Sequence, residues 1–165
     1  MESEILRNMK KTMIYAAVLL GLCSCNQAKI FSGDYSYKTT GMVTLVSNDT
    51  TSIEHEIKHI GTLSVVDLKS SDKDSILLIF NELGGSLTTV RAKVDDDSVW
   101  LTPYTKTISL QDGLLTVDGE VTVTGRGVRY DDIIMLDEVY DGVIVSDTTN
   151  IKIHGEHIST VANRN

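Results

Sequence analysis

Proline is almost missing: one, Pro103, in 165 residues. Cysteine is nearly as scarce, with 2, at positions 23 and 25. Everything after residue 25 therefore has no thiol, which excludes a disulfide scaffold, a Cys-ligated zinc site and a cysteine nucleophile in that part. Aromatics make up only 5%, with a single Trp at position 100. Basic residues are outnumbered, 15 against 23 acidic, giving a formal net charge of −8. Phosphate backbones need a basic surface, so nucleic acid is an unsuitable partner. No G-x-S-x-G elbow occurs. After the first 26 residues no stretch has the period of a three-turn amphipathic helix, and without crossover helices a parallel sheet cannot be connected.

The N-terminal stretch has the grammar of an export signal. Lys10 and Lys11 precede an apolar run, Met13 to Leu22, that is too short to span a bilayer. Residues 1–24 read as a signal peptide, and two acids in MESEILRN place the expected translation start at Met9. Leu22-Cys23-Ser24-Cys25 resembles the lipobox of bacterial lipoproteins. That resemblance implies lipidation of Cys25, with palmitate-type acyl chains on the mature N-terminus. Residues 25–33 then read as a tether and 34–165 as one domain.

What remains is strand and turn grammar: runs of Val, Ile, Leu, Thr and Tyr divided by Asp, Asn, Gly and Ser. In 34–46, Tyr35, Tyr37, Val43 and Leu45 share one face. Ile76 to Phe80 is apolar throughout, as a covered strand should be. Asp95-Asp96-Asp97 and Gly84-Gly85-Ser86 read as hairpin turns. Further strands are predicted at 98–104, 106–110, 119–124, 128–140, 142–146, 151–153 and 157–162. Nine or ten antiparallel strands must bury one face and avoid open edges. A closed barrel does both, and a two-sheet sandwich is the alternative.

One pattern suggests chemistry. His55-Glu56-Ile57-Lys58-His59 matches H-E-x-x-H, which binds zinc when a helix brings both His to one face. Thr51 to Glu54 reads as a capping box in favour of a helix. Against it, residues 61–68 continue as a strand, and third ligands (Glu156, His154, His157) are candidates by type alone. In a strand, His55, Ile57 and His59 would face one way and Glu54, Glu56 and Lys58 the other. The reading adopted is a strand or short lid, no metal, no cofactor and no enzyme, with a zinc hydrolase as the remote alternative. Asp131-Asp132 and Asp137-Glu138 are adjacent carboxylates that a strand would split between its faces.

The segments FSGDYSYKTTGMVTL (31–45), GTLSVVDL (61–68), ILLIFNELGGSLTTVRAKV (76–94), TGRGVRYDD (124–132) and VANRN (161–165) resemble small lipocalin-like lipoproteins of the Bacteroidetes type. The resemblance implies a calycin-type barrel without an established ligand. It sets Gly33-Asp34-Tyr35 where lipocalins carry Gly-x-Trp, and it implies that Arg164 packs over Tyr35 to close the barrel base. No acidic residue stands in Asn26-Gln27-Ala28-Lys29-Ile30, just after Cys25, which favours the periplasmic face of the outer membrane over surface display. The expected function is to bind a small apolar ligand or lipid in the barrel mouth, with a non-enzymatic module for another envelope protein as the alternative; the membrane is the expected partner of the acylated Cys25. Such bacteria place O-glycans at Asp, Ser/Thr, then an apolar residue or Thr. Thr50, Ser75, Ser98 and Thr148 match that pattern.

Overall fold

The structure, a computed structural model, describes residues 27–47, 51–68, 74–112, 115–145 and 150–165. One short helix, α1 (Gln27–Phe31), precedes nine strands: β1 (Gly33–Ser47), β2 (Thr51–Asp67), β3 (Ser75–Glu82), β4 (Leu87–Asp95), β5 (Ser98–Leu101), β6 (Tyr104–Asp112), β7 (Leu115–Tyr130), β8 (Ile133–Val145) and β9 (Asn150–Arg164). All pairings are antiparallel, and β9 returns to β1. β5 pairs β4 on one side and β7 on the other, which closes the sheet. β5 and β6 both pair β7 and act as one stave broken at Thr102-Pro103. The sole proline thus marks the place where that ladder is interrupted, as a residue without an N–H must. The result is an eight-staved, lipocalin-like antiparallel barrel, and the closure rules out the sandwich alternative.

Alternation decides which side chains point inward. β3 buries Ile76, Leu78 and Phe80, and β4 buries Val90, Ala92 and Val94. The hairpins at Asp96-Asp97 and Asp131-Asp132 are two-residue turns whose first Asp takes a left-handed φ of 51°, a conformation that Asp tolerates better than most residues. Leu83 to Ser86 forms the β3–β4 turn, with Gly84 at φ 76°.

Several sequence expectations are corrected. The predicted strand 128–140 is cut by the Asp131-Asp132 turn, so 119–124 and 128–130 belong to β7 while 133–140 and 142–145 belong to β8. The strands expected at 151–153 and 157–162 are one, β9, carrying a bulge. The register slips around Glu156 and His157, His157 adopts φ 58°, and the buried positions change parity from Ile153 to Ile158. Residues 27–31 are not a free tether. They form α1, and Ala28 and Phe31 are fully buried in the barrel base.

The two ends of the barrel differ. The base holds α1 and the two Asp-Asp turns. Above it, β3 and β4 are short: β3 pairs β2 only from Gly61 to Asp67. A Cβ on Gly61 would stand 2.1 Å from the Asn81 carbonyl oxygen, so a side chain is excluded where β2 leaves β3. Beyond that point the Ile60 carbonyl still accepts the Leu83 N–H at 2.9 Å, and among the described residues 51–59 of β2 have only β1 as a strand partner and β6 only β7. The upper half of the barrel is therefore open on one side, between these two strands.

Candidate functional site

Inward-facing residues sort into three layers. A lower apolar core includes Tyr35, Tyr37, Leu63, Leu78, Phe80 and Leu136. An upper core gathers Val43, Ile57, Ile108, Leu110, Val121 and Ile158. Between them lies a polar belt, set by register. On β1 the sequence of inward residues runs Tyr37, Thr39, Val43; on β8 it runs Leu136, Glu138, Tyr140; on β9, Ala162, Thr160, Ile158. The belt is continued by His59 on β2, Glu82 on β3 and Lys106 on β6.

The belt's hydrogen bonds are specific. Tyr104 donates its hydroxyl to Glu138 Oε1 at 2.9 Å, and Thr160 donates to Glu138 Oε2 at 2.8 Å. With the Thr160 proton committed to Glu138, Thr39 donates its hydroxyl to Thr160 Oγ1 at 2.6 Å. Glu138 is 2% exposed. Burial raises its pKa above the ordinary carboxylate value, against the opposing pull of its two hydroxyl donors and Lys106. Lys106 Nζ lies 4.0 Å from Glu82 Oε2 and 6.0 Å from the Tyr140 ring centre. Burial depresses its pKa, and the two carboxylates partly restore it. Burial also raises the hydroxyl of Tyr37 to about 12 and pushes those of Tyr104 and Tyr140 upward. The space left among these groups is a cavity of about 10 Å³, on the order of one water.

His55, Ile57 and His59 do share the inner face of β2, while Glu54, Glu56 and Lys58 are exposed. The helix that a zinc protease needs is not formed. Four residues along a strand span about 13 Å, too far for two imidazoles to share one metal. His59 instead pairs through Nδ1 with Glu82, and its buried Nε2 has no hydrogen-bond partner among the described residues. Burial and the nearby Lys106 lower its pKa, with Glu82 opposing. His154, at the surface, sits between Asp141 (2.6 Å) and Glu156 (3.4 Å), and its bond to Asp141 raises its pKa. His157 faces Asp137 at 3.3 Å. The candidate third ligands therefore lie on the outer wall, away from His55 and His59.

These two shifts have opposite signs, and NMR titration of the imidazole Cε1–H resonances should resolve them. His154 is expected to titrate above 6.5 and His59 below it. His154 then adds stability as pH falls through its folded pKa toward 6.5. His59 loses stability as pH falls from 6.5 through its depressed value. Two histidines titrating together near 6.5 would refute the assignment.

At the base, Arg164 lies over the Tyr35 ring, 5.3 Å from its centre. Its Nη2 donates to the carbonyls of Ile30 (2.9 Å) and Ser32 (3.1 Å) and to the Tyr35 hydroxyl (2.8 Å). The Tyr35 hydroxyl donates to the Phe31 carbonyl at 2.8 Å. A second arginine, Arg129, stands over Phe31 at 5.9 Å and reaches Asp97 at 3.4 Å. The expected Arg–Tyr closure is present, and Arg129 adds to it with no motif to announce it. Its place at inward parity on β7, ahead of the Asp-Asp turn, is the available signal. The belt escapes sequence reasoning for a similar reason: Glu138 and Lys106 read as surface charges until strand parity is known.

Asp137 and Glu138 do point to opposite faces, one exposed and one buried, whereas Asp131 and Asp132 are both exposed in a turn. Ser75 opens β3 and Ser98 opens β5, both half-buried. Thr50, Thr148 and Cys25 lie outside the described residues. No protein-family model matches the chain, and a search of curated proteins finds no match.

Proposed function

We propose that the protein is a lipid-anchored envelope lipoprotein whose lipocalin-like barrel is a non-enzymatic interaction module for another envelope protein. Acylated Cys25 would hold it in the outer membrane, facing the periplasm. The observation that carries this reading over the small-ligand alternative is the filled belt. A lipid or apolar molecule in the barrel would have to lie where Glu82, Lys106 and Glu138 now stand around 10 Å³ of space. An apolar ligand offers these groups no hydrogen bonds in exchange. The upper half, in contrast, offers one edge of β2 up to His59, and one edge of β6, that no strand covers among the described residues, at the end remote from α1. Strand addition by a partner is the recognition mode such edges support.

Two measurements on the full-length protein from its native host test the reading. Cys25→Ala should move the protein from the membrane fraction to the soluble fraction, since dual or triple acylation is what makes anchoring stable. Organic extraction of the wild type should release no small molecule at one per chain. An extracted ligand at that stoichiometry would return the argument to a binding cup, and a Cys25→Ala protein still in membranes would remove the anchor.

A further inference from the structure

The outer wall of the barrel near its base carries an apolar groove over the strands β5, β7 and β8. Trp100 on β5, Val128 and Tyr130 on β7 and Met135 on β8 are all exposed, at 46, 46, 70 and 42%. Register places them side by side. Val128 is opposite Met135, and Trp100 is opposite Arg126 on one side and Lys93 on the other. The groove measures about 630 Å³ and is lined by Trp100, Val128 and Met135 together with Ser98, Asp137 and His157, while Tyr130 continues the outer face of β7 toward the base. Residues 95–97 and 131–132 close the strands just below it, so these side chains stand within about 10 Å of the base.

The chain enters at the same corner. Gln27 Nε2 donates to Asp96 Oδ1 at 3.3 Å, in the β4–β5 turn four residues before Trp100. Cys25 precedes Gln27 by two residues, a reach of at most about 7 Å. We infer that the wall bearing Trp100 lies against the phospholipid surface, seated there by the acyl chains of Cys25. This rests on the lipid-anchor reading above and adds an orientation to it. An aromatic ring flanked by Lys93 and Arg126 suits the headgroup boundary: the ring and aliphatic stems enter the apolar side and the cations meet phosphates. The acidic turns at the base, Asp96-Asp97 and Asp131-Asp132, oppose anionic lipid. Seating is therefore driven by the apolar side chains and holds on zwitterionic membranes. The open strands β2 and β6 then point away from the bilayer. Ser98 is covered by this seating, so it is the O-glycan position the orientation excludes.

Trp100 is the only Trp, which makes it a native probe. Full-length acylated protein would be reconstituted in zwitterionic phosphatidylethanolamine–phosphatidylcholine vesicles, with and without brominated acyl chains, and floated on a gradient. Trp100 emission should shift to the blue and fall roughly twofold in the brominated vesicles. Met135→Asp should still float but lose the quenching. Wild-type protein that floats with a water-like, unquenched Trp100 would overturn the orientation and leave the wall free for a protein partner. Protein that does not float at all would overturn the anchor, and the orientation with it.

Discussion

Arg164→Ala is expected to lower stability by about 3 kcal/mol, from the usual worth of charge-assisted hydrogen bonds and a cation over an aromatic face. The guanidinium gathers two carbonyls of the α1 segment and the Tyr35 hydroxyl at one nitrogen, 2.8 to 3.1 Å away. Removing it strips three acceptors at once and uncovers the Tyr35 ring. In a domain of this size the change should lower Tm by roughly 8 °C. It should also abolish hydrogen-exchange protection in α1 before the strands are affected, because α1 is held to the barrel by these bonds and by Phe31. Arg164→Lys should recover less than half. An ammonium has donors for the same acceptors, but it has no planar face to lay over the Tyr35 ring and no second nitrogen for Asp132. Denaturant titration with exchange measured by mass spectrometry checks both. A loss below about 0.5 kcal/mol, in the range of an ordinary surface substitution, would remove Arg164 from the base closure.

Glu138 carries the second large effect, and it depends on pH. Its folded pKa is raised by burial, so the folded chain keeps a proton that the unfolded chain has released. The unfolded state binds fewer protons across the window that begins at the unfolded value of 4.5. Its contribution to stability is therefore greatest below that value and is lost as pH rises through the folded pKa. Glu138→Gln removes this slope. It keeps an oxygen for the Tyr104 hydroxyl, and its amide can donate to Thr160, so above the folded pKa the variant should match or exceed the wild type. Glu138→Ala should cost about 3 kcal/mol instead, since Tyr104 and Thr160 lose their buried acceptor. His59 and Lys106, both shifted downward, add slopes of their own. Subtracting the Gln variant's stability–pH curve from the wild type's isolates the carboxylate. Parallel curves for wild type and Glu138→Gln between pH 4.5 and 8 would show that Glu138 does not titrate with folding.

The Arg164–Tyr35 pair is legible in the sequence, because Gly33-x-Tyr35 and a late arginine both stand in the segments that carry the family resemblance. The belt around Glu138 is not. Adjacent Asp137 and Glu138 are chemically alike in a sequence, and only the parity of β8 separates them. Parity in turn depends on where the preceding turn falls. Treating 128–140 as one strand carries the alternation through Asp131-Asp132, where the chain actually reverses. The bulge at Glu156-His157 defeats alternation in the same way: it inserts one residue and exchanges inside for outside. His59 shows the converse. Its face on β2 is readable from alternation, but its partner Glu82, 23 residues on, is not.

Local chemistry in the sequence determined the all-β class, the Asp-Asp and Gly-Gly turns, the inward face of most strands and the export-signal pattern at the front. These depend on neighbours one, two or four residues apart, and period-two alternation and turn residues report such relations directly. Tertiary structure alone decided that the barrel is filled across its middle, that its upper half is open between β2 and β6, and that α1 seals the base beneath Arg129 and Arg164. Each of these is a meeting of side chains from strands distant in the chain. Volume, register and closure are properties of the whole ring of strands, and no local pattern contains them.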